Sequence, residues 1–407
     1  MYKNNCRVCN DQNLHKVLDL GKSPLANNLL SSDKDECEVY PLELMYCDKC
    51  YNSQLSYVVQ AEKMFDHYLY VSSTSKSFRE HFDKACVQYI NEFNLNVNSL
   101  VIDIGSNDGI ALKPFKEKGF KVVGIEPAKN IAKLANESGI NTINGYFSEE
   151  ISKEIEISYG LADLITASNI YAHVDDLTSF THSVFKLLKK DGCFIVEVQY
   201  LLDTIKDLTF DNIYHEHVNY WCVTSINNYF SKLGYLVTKV EHIDTHGGSI
   251  RVFIKNKGSK IDKSVNEFLQ KEIEFGIKDI NLYISFSNRV SKSKSLFLSN
   301  INKIKNRNET IVGYGSPAKA TTTLNYFNIT NKDIEYIIED NKLKHNKFLP
   351  GINIPIKSKD EAYKNKPNNI LIMAWNFEKE IISNNKELSD LGIKFLNIKK
   401  LQLNEIE

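Results

Sequence analysis

Two short cysteine pairs, Cys6-x2-Cys9 and Cys47-x2-Cys50, are the first residues in this chain whose type and spacing could do chemistry. Thiolates two residues apart grip one side of a tetrahedral ion, and a second pair closes the shell, so a structural zinc is expected rather than a catalytic one. Four unrelated reduced cysteines are the alternative. A second group is the run Asp103-Ile104-Gly105-Ser106-Asn107-Asp108-Gly109, which follows an apolar stretch. A strand ending in D-x-G-x-x-x-G exposes backbone amides at a helix start, and its glycines let a ligand approach the main chain. About 20 residues on, another apolar run ends at Glu126, whose carboxylate could accept hydrogen bonds from both hydroxyls of a ribose.

A third group is Tyr214-His215-Glu216-His217, with another imidazole at His173 in the segment Asn169-Ile170-Tyr171-Ala172-His173. Histidine moves protons near neutral pH, and a neighbouring carboxylate can orient it or raise its basicity. In an extended segment Tyr214 and Glu216 would share one face and His217 the other; in a turn they could converge. A fourth is Gly313-x-Gly315-Ser316-Pro317-Ala318-Lys319, small residues and a lysine at a helix start, suited to a diphosphate. It has neither the Walker spacing nor G-x-G-x-x-G, so ATP hydrolysis is not implied.

The elements that must carry these groups can be read from the apolar pattern. Residues 99–105, 121–126, 162–168 and 192–198 read as strands, with helical patterns at 130–139 and 176–190 between them. That alternation implies a parallel sheet with crossover helices. Residues 235–243 and 249–256, separated by a turn containing Gly247 and Gly248, read as a closing antiparallel hairpin. Helical periodicity is expected over 61–94, where Phe78, Phe82, Cys86 and Ile90 recur every four residues, and again over 257–308. A second strand, turn and helix unit begins at 310–327 and continues through 333–340 and 369–376. The division expected is 1–62, a zinc module; 63–256, a central α/β unit with a leading helix; 257–308, a helical connection; and 309–407, a smaller α/β unit.

A chain of 407 residues exceeds one hydrophobic core, which agrees with that division. Its 50 basic and 51 acidic side chains leave a net charge of −1, which argues against a protein that blankets nucleic-acid phosphates. No apolar run is long enough to cross a membrane, and the N-terminal residues lack the apolar core of a signal peptide. A cytoplasmic protein without nucleic-acid or membrane partners is expected. In that reducing compartment the eight cysteines should not form a disulfide framework.

The glycine turn, Glu126 and a seven-strand pattern ending in a hairpin resemble the class I S-adenosylmethionine-dependent methyltransferase fold. The ordered set resembles, over nearly the whole chain, the three-domain sugar C-methyltransferases that act on nucleotide-linked keto-sugars. It comprises both cysteine pairs with Leu20-Gly21 and Pro24-Leu25-Ala26-Asn27 between them, Tyr68-x-Tyr70-x-Ser72-Ser73, the 103–109 run, Ala172-His173, and Tyr214-His215-Glu216-His217. His246-Gly247-Gly248-Ser249-Ile250-Arg251, the 313–319 turn, Leu349-Pro350-Gly351 and Trp375-Asn376 complete it.

The resemblance implies a zinc module and a C-terminal Rossmann-like unit flanking the methyltransferase core. S-adenosylmethionine would sit on Asp103, Gly105, Ser106, Asn107, Asp108, Gly109, Glu126 and Asn169. The nucleotide-linked sugar would meet Tyr70, Ser72, Arg251, Gly315, Ser316 and Lys319, the last as part of a diphosphate site. His217 would be the general base, with Glu216 and Tyr214 beside it and Tyr68 and His173 positioning the sugar. Family members lean toward monomers, so a monomer is expected.

The chemistry expected is removal of the C3 hydrogen of a 4-keto sugar, with Tyr214 or His173 hydrogen-bonding the developing oxyanion. O-methylation of a sugar hydroxyl is the nearest alternative, and a zinc-dependent RNA-binding protein, such as an RNA methyltransferase, is one of another class. A nicotinamide-dependent oxidoreductase lacks its glycine fingerprint.

Overall fold

A computed structural model describes residues 1–66, 71–245 and 247–406. Three sheets organise the chain. In the central one, the apolar runs become strands whose burial matches their composition: every residue of Leu100–Ile104 is buried, as a middle strand covered by helices on both faces requires. The order across this sheet is Tyr235–Ile243, Ser249–Asn256, Leu188–Gln199, Ala162–Ser168, Leu100–Ile104, Lys121–Glu126 and Thr142–Asn144. The last five are parallel, and the hairpin adds antiparallel to Leu188–Gln199. This is the seven-stranded class I methyltransferase arrangement. The ligand turn after Leu100–Ile104 lies at the carboxyl edge, where the strand order reverses.

The leading helix is shorter than its periodicity suggests. It runs Lys76–Glu92, starting where the Ser75 side chain caps the Phe78 amide, and buries Phe78, Phe82, Cys86 and Tyr89. The helix expected through 190 stops at Leu187, because Leu188 turns extended and opens a 12-residue strand.

The cysteine-rich N-terminus holds more strand than its sequence suggests. Leu14–Pro24, Val39–Cys47 and Ser53–Leu55 form an antiparallel sheet. Register shifts between Lys16 and Leu18 and between Asp19 and Lys22 break the two-residue alternation by which a strand is recognised. This sheet takes its fourth strand, Asn219–Tyr220, from far along the chain, immediately after the predicted catalytic histidine. Asn52 and Asn219, both fully buried, exchange side-chain amide hydrogen bonds of 2.8 and 3.1 Å across that junction.

The third sheet is wholly parallel, in the order Ile356–Lys357, Ile337–Ile338, Ile311–Tyr314, Asn369–Ile372 and Lys394–Asn397. Residues 257–308 supply helices Lys263–Phe275 and Ile280–Asn306. The first plants Glu272 under the helix Val223–Leu233, where its two carboxylate oxygens accept from the Val223 and Thr224 amides at 2.6 and 2.7 Å. A carboxylate on orphan amides at a helix start is favoured by the local dipole. The second packs Tyr283 against Tyr46 of the first sheet (ring centroids 4.4 Å apart), and its Asn300 side chain donates to the Leu401 and Asn404 carbonyls. It thus joins both ends of the chain.

Candidate active site

Asn27 and residues 58–60 of the N-terminal module, the carboxyl edge of the central sheet and Tyr314 of the third sheet border one cavity of about 1570 Å³. A pocket for a single drug-sized ligand runs to about 1,000 Å³, so this one has room for two.

Its first region is the glycine turn. Gly105, at φ 70°, has no room for a side chain: a Cβ there would lie 2.2 Å from Ile170 Cδ1. The Gly105 and Ser106 amides donate to the Ile125 carbonyl, the Asn107 amide donates to Glu126 Oε2, and Ala128 donates to Glu126 Oε1, both at 2.9 Å. The Asn107 side-chain carbonyl accepts from the Ser72 amide at 2.9 Å, so Ser72 belongs to the clamp on this turn. Gly109, at φ 84°, turns the chain back toward Ile140. Asp103 accepts from the Thr166 hydroxyl at 2.6 Å, and burial pushes its carboxyl up to about 7. Burial also raises Glu126. Two desolvated carboxyls suit a ligand that brings positive charge.

Among the described residues, Ser106 Oγ, Asp108 Oδ1 and Asn169 Oδ1 are buried with no hydrogen-bond partner; Ser106 and Asn169 also line the cavity. Unfilled polar atoms beside a glycine turn and paired carboxyls fit S-adenosylmethionine, which carries a sulfonium and an ammonium group. Gly105→Ala should therefore weaken S-adenosylhomocysteine binding by at least about tenfold, since the new methyl displaces Ile170 and strains the left-handed backbone. Titration calorimetry measures it, and unchanged affinity would place the ligand elsewhere.

The second region is the histidine turn. A hydrogen bond from the His217 amide to the Tyr214 carbonyl (3.0 Å) closes residues 214–217 into a turn, so Tyr214 and His217 converge on the cavity. Their ring centroids are 4.1 Å apart, and His173 stacks on His217 at 5.2 Å, itself backed by Phe65 at 5.4 Å. His217 Nδ1 lies 2.8 Å from the Asn212 carbonyl. A carbonyl only accepts, so Nδ1 carries the proton and Nε2 keeps its lone pair. Burial, and then the charge of Lys319, hold His217 down to about 4 against the favourable contact with Asn212. Burial, and then His217, push His173 well below its ordinary value, and its Nε2 is buried without a partner among the described residues.

His215 points away from the cavity, with Nε2 3.2 Å from the Pro41 carbonyl, and burial brings it to about 4. Both rings are neutral in the fold, whereas the unfolded chain takes up protons below the ordinary value of 6.5. Stability should hold above pH 6.5 and fall between pH 6.5 and 4, by up to about 3 kcal/mol per ring. Urea unfolding at pH 7.5 and 4.5 reads this, and His215→Gln should flatten the fall.

Several expected residues sit elsewhere. Glu216 does not line the cavity; its Oε1 accepts from the Asn27 side chain at 2.6 Å, and Asn27 lines the wall. Arg251 also fails to reach the cavity. Its guanidinium bonds Glu197 at 3.0 Å, accompanied by Gln88 and His81 of the leading helix. Its strand is buried on both faces, and Arg251 turns to the one covered by the leading helix, so its substrate assignment is replaced by a brace between that helix and the sheet. Tyr68, Tyr70 and His246 lie outside the described residues.

The third region is the C-terminal turn. Gly315, Ser316 and Lys319 line the cavity, but the Gly315 amide donates to the Ile338 carbonyl and the Ser316 amide and hydroxyl both donate to Glu339 Oε2. Glu339 is an acid ending the next strand, as Glu126 is, and that shared signal could have found it. The roles of Asn27 and the Asn212 carbonyl had no comparable signal, because both depend on tertiary contacts.

The four cysteines come together at the far side of the N-terminal sheet. Their sulfurs all lie within 4.8 Å of one another, with Cys6 to Cys50 at 3.4 Å and Cys9 to Cys47 at 3.6 Å. Sulfurs about 2.3 Å from a tetrahedral zinc stand about 3.8 Å apart, so the set fits that ion.

Three family models match the chain in sequence order: a zinc binding domain over 6–65, a methyltransferase domain over 78–240 and a C-methyltransferase C-terminal domain over 244–398. The chain is 34% identical over 395 residues to C-methyltransferase NovU of Streptomyces niveus, covering 96% of this chain and 94% of that one. The protein belongs to this C-methyltransferase family. It is an S-adenosylmethionine-dependent methyltransferase with a zinc-binding N-terminal module. A ubiquinone biosynthesis O-methyltransferase of Hydrogenovibrio crunogenus is 25% identical over 111 residues, 26% of this chain and 45% of that one. Among solved structures, magnesium protoporphyrin IX methyltransferase from Synechocystis PCC 6803 with bound SAH matches at 13% identity and TM-score 0.35, over 44% of this chain and 83% of that one. Among the described residues no helix is long and apolar enough to cross a membrane.

Proposed function

We propose that this C-methyltransferase methylates C3 of a 4-keto sugar carried on a nucleoside diphosphate, with His217 as the general base. The observation that carries the reading is the imidazole itself. Its Nδ1 proton is committed to the Asn212 carbonyl, leaving Nε2 as a lone-pair donor on a residue lining the same cavity as the S-adenosylmethionine turn. A carbonyl at C4 acidifies the hydrogen at C3, so a fixed, neutral imidazole can take that proton and leave an enolate.

When bound, S-adenosylmethionine supplies an electrophilic methyl group; Asp103, Glu126 and the 105–109 turn would hold it. Tyr214 and His173, on either side of His217, position the sugar carbonyl. The C-terminal parallel unit holds the nucleotide, a division of labour supported by a cavity with room for two ligands. Zinc takes no part in the proton transfer, because four thiolates fill its coordination shell.

Transfer of a 13C-labelled methyl group to a 4-keto nucleotide sugar tests the reading. A product methyl resonance in the C–CH3 region, coupled to a quaternary sugar carbon, supports it. A methyl in the O–CH3 region would assign O-methylation instead.

A further inference from the structure

Lys319 is a lysine that the C-terminal turn presents to the cavity yet keeps almost wholly buried, 8% exposed. Its Nζ lies 4.4 Å from the centre of the Trp375 ring, and the Trp375 indole donates to Asp211 Oδ2 at 2.6 Å. Asp211 precedes Asn212, the residue whose carbonyl fixes the His217 tautomer. Among the charged groups that act on Lys319 are Asp211 and Lys399. Lys399 is itself compensated by Asp211 and Asp207 and opposed by Arg289. Asp211 thus serves the Trp375 indole and both ammonium groups, and the Lys319 charge acts on His217.

A diphosphate is poorly served by this turn. The Gly315 and Ser316 amides are already spent on Ile338 and Glu339, and the Glu339 carboxylate stands where phosphate oxygens would gather. Lys342, exposed on the cavity rim, offers more accessible positive charge for phosphate, whereas Lys344 is spent on the Ser316 carbonyl at 2.9 Å and on Glu339.

We propose that Lys319 is a catalytic residue whose ammonium group meets the negative charge developing on the sugar's carbonyl oxygen, rather than a diphosphate grip. The inference rests on the keto-sugar reading above. In the step it assists, the C3–H bond breaks and its electron pair forms the C3–C4 double bond. The carbonyl π pair moves onto oxygen, and the proton goes to His217 Nε2. Lys319 donates a hydrogen bond to that oxygen, a contact that strengthens as charge grows and so lowers the barrier. Burial and Lys399 bring its ammonium down to about 8 despite Asp211, so the charged form is lost as pH rises through 8. Of the other titratable groups coupled to it, His217 is already neutral there, and burial lowers the Lys399 ammonium as well, so the assignment of a basic limb to Lys319 rests on its loss in Lys319→Arg.

The test uses the full-length zinc-loaded enzyme with a thymidine-diphosphate-linked 4-keto sugar and S-adenosylhomocysteine in D2O, reading deuterium incorporation at C3 by NMR. Methyl-transfer kinetics are measured alongside. Lys319→Met should lower both exchange and kcat by about 100-fold or more while leaving KM for the nucleotide sugar within about threefold. Wild-type kcat should fall above pH 8, and Lys319→Arg, which stays charged, should retain partial activity without that limb. A KM raised tenfold with kcat preserved in Lys319→Met would overturn the proposal in favour of a diphosphate grip. If that variant does not fold, Lys319→Arg carries the test: a KM raised tenfold with kcat preserved in it overturns the proposal equally. Failure of the wild-type enzyme to methylate carbon in any 4-keto nucleotide sugar would instead count against the keto-sugar reading.

Discussion

Replacing His217 with alanine should lower methyl transfer by about 100- to 10,000-fold, the range a positioned general base contributes. S-adenosylmethionine affinity should stay close to wild type, because the glycine turn and the histidine turn are separate parts of one cavity wall. The 103–109 turn is held by Ile125, Glu126 and Ser72, and 214–217 by its own closing hydrogen bond and Asn212. The size of the loss follows from the geometry. Among the described residues His217 is the imidazole on that wall whose tautomer a backbone carbonyl fixes, while Glu216 is bonded to Asn27 and His215 points to Pro41. A neutral ring held near 4 is a weak base at equilibrium, so the transfer depends on stabilising the enolate as it forms. Turnover close to wild type in His217→Ala would remove this residue from the mechanism.

Stripping the zinc, or replacing Cys47 with serine, should cost on the order of 10 kcal/mol in the N-terminal module, the scale on which structural zinc contributes to folding. The effect should reach the active site. The cysteine module builds the sheet whose strand Ser53–Leu55 pairs with Asn219–Tyr220, two residues beyond His217. It also supplies Asn27, which holds Glu216, and the Ala26 carbonyl, which accepts from Thr321 of the C-terminal unit. Released zinc can be titrated with a chromogenic chelator while thermal melting and methyl transfer are followed on the same sample. Loss of metal, melting temperature and activity together is expected. A metal-free protein with an unchanged melting temperature would show that the four sulfurs hold together without an ion.

The central sheet was legible because its strands are buried on both faces and read as continuous apolar runs, and the D-x-G-x-x-x-G turn announced the ligand site. Cysteine spacing announced the zinc module. Its long strands were hidden by bulges, and Thr142–Asn144 and Asn219–Tyr220 are too short to carry a pattern. Among site residues, the sequence could name Glu216 and His217 but not their partners: Asn27 is 189 positions from Glu216, and Asn212 acts through its backbone. Arg251 shows the converse error. A charged residue next to a glycine-rich turn reads as a ligand contact until the strand's pleat turns it into the protein.

The most direct test of the central claim is solvent exchange at C3 of a 4-keto nucleotide sugar, followed by NMR in D2O with S-adenosylhomocysteine present. Wild-type enzyme should wash deuterium into C3 and His217→Ala should not. Exchange that persists undiminished in His217→Ala would contradict the account.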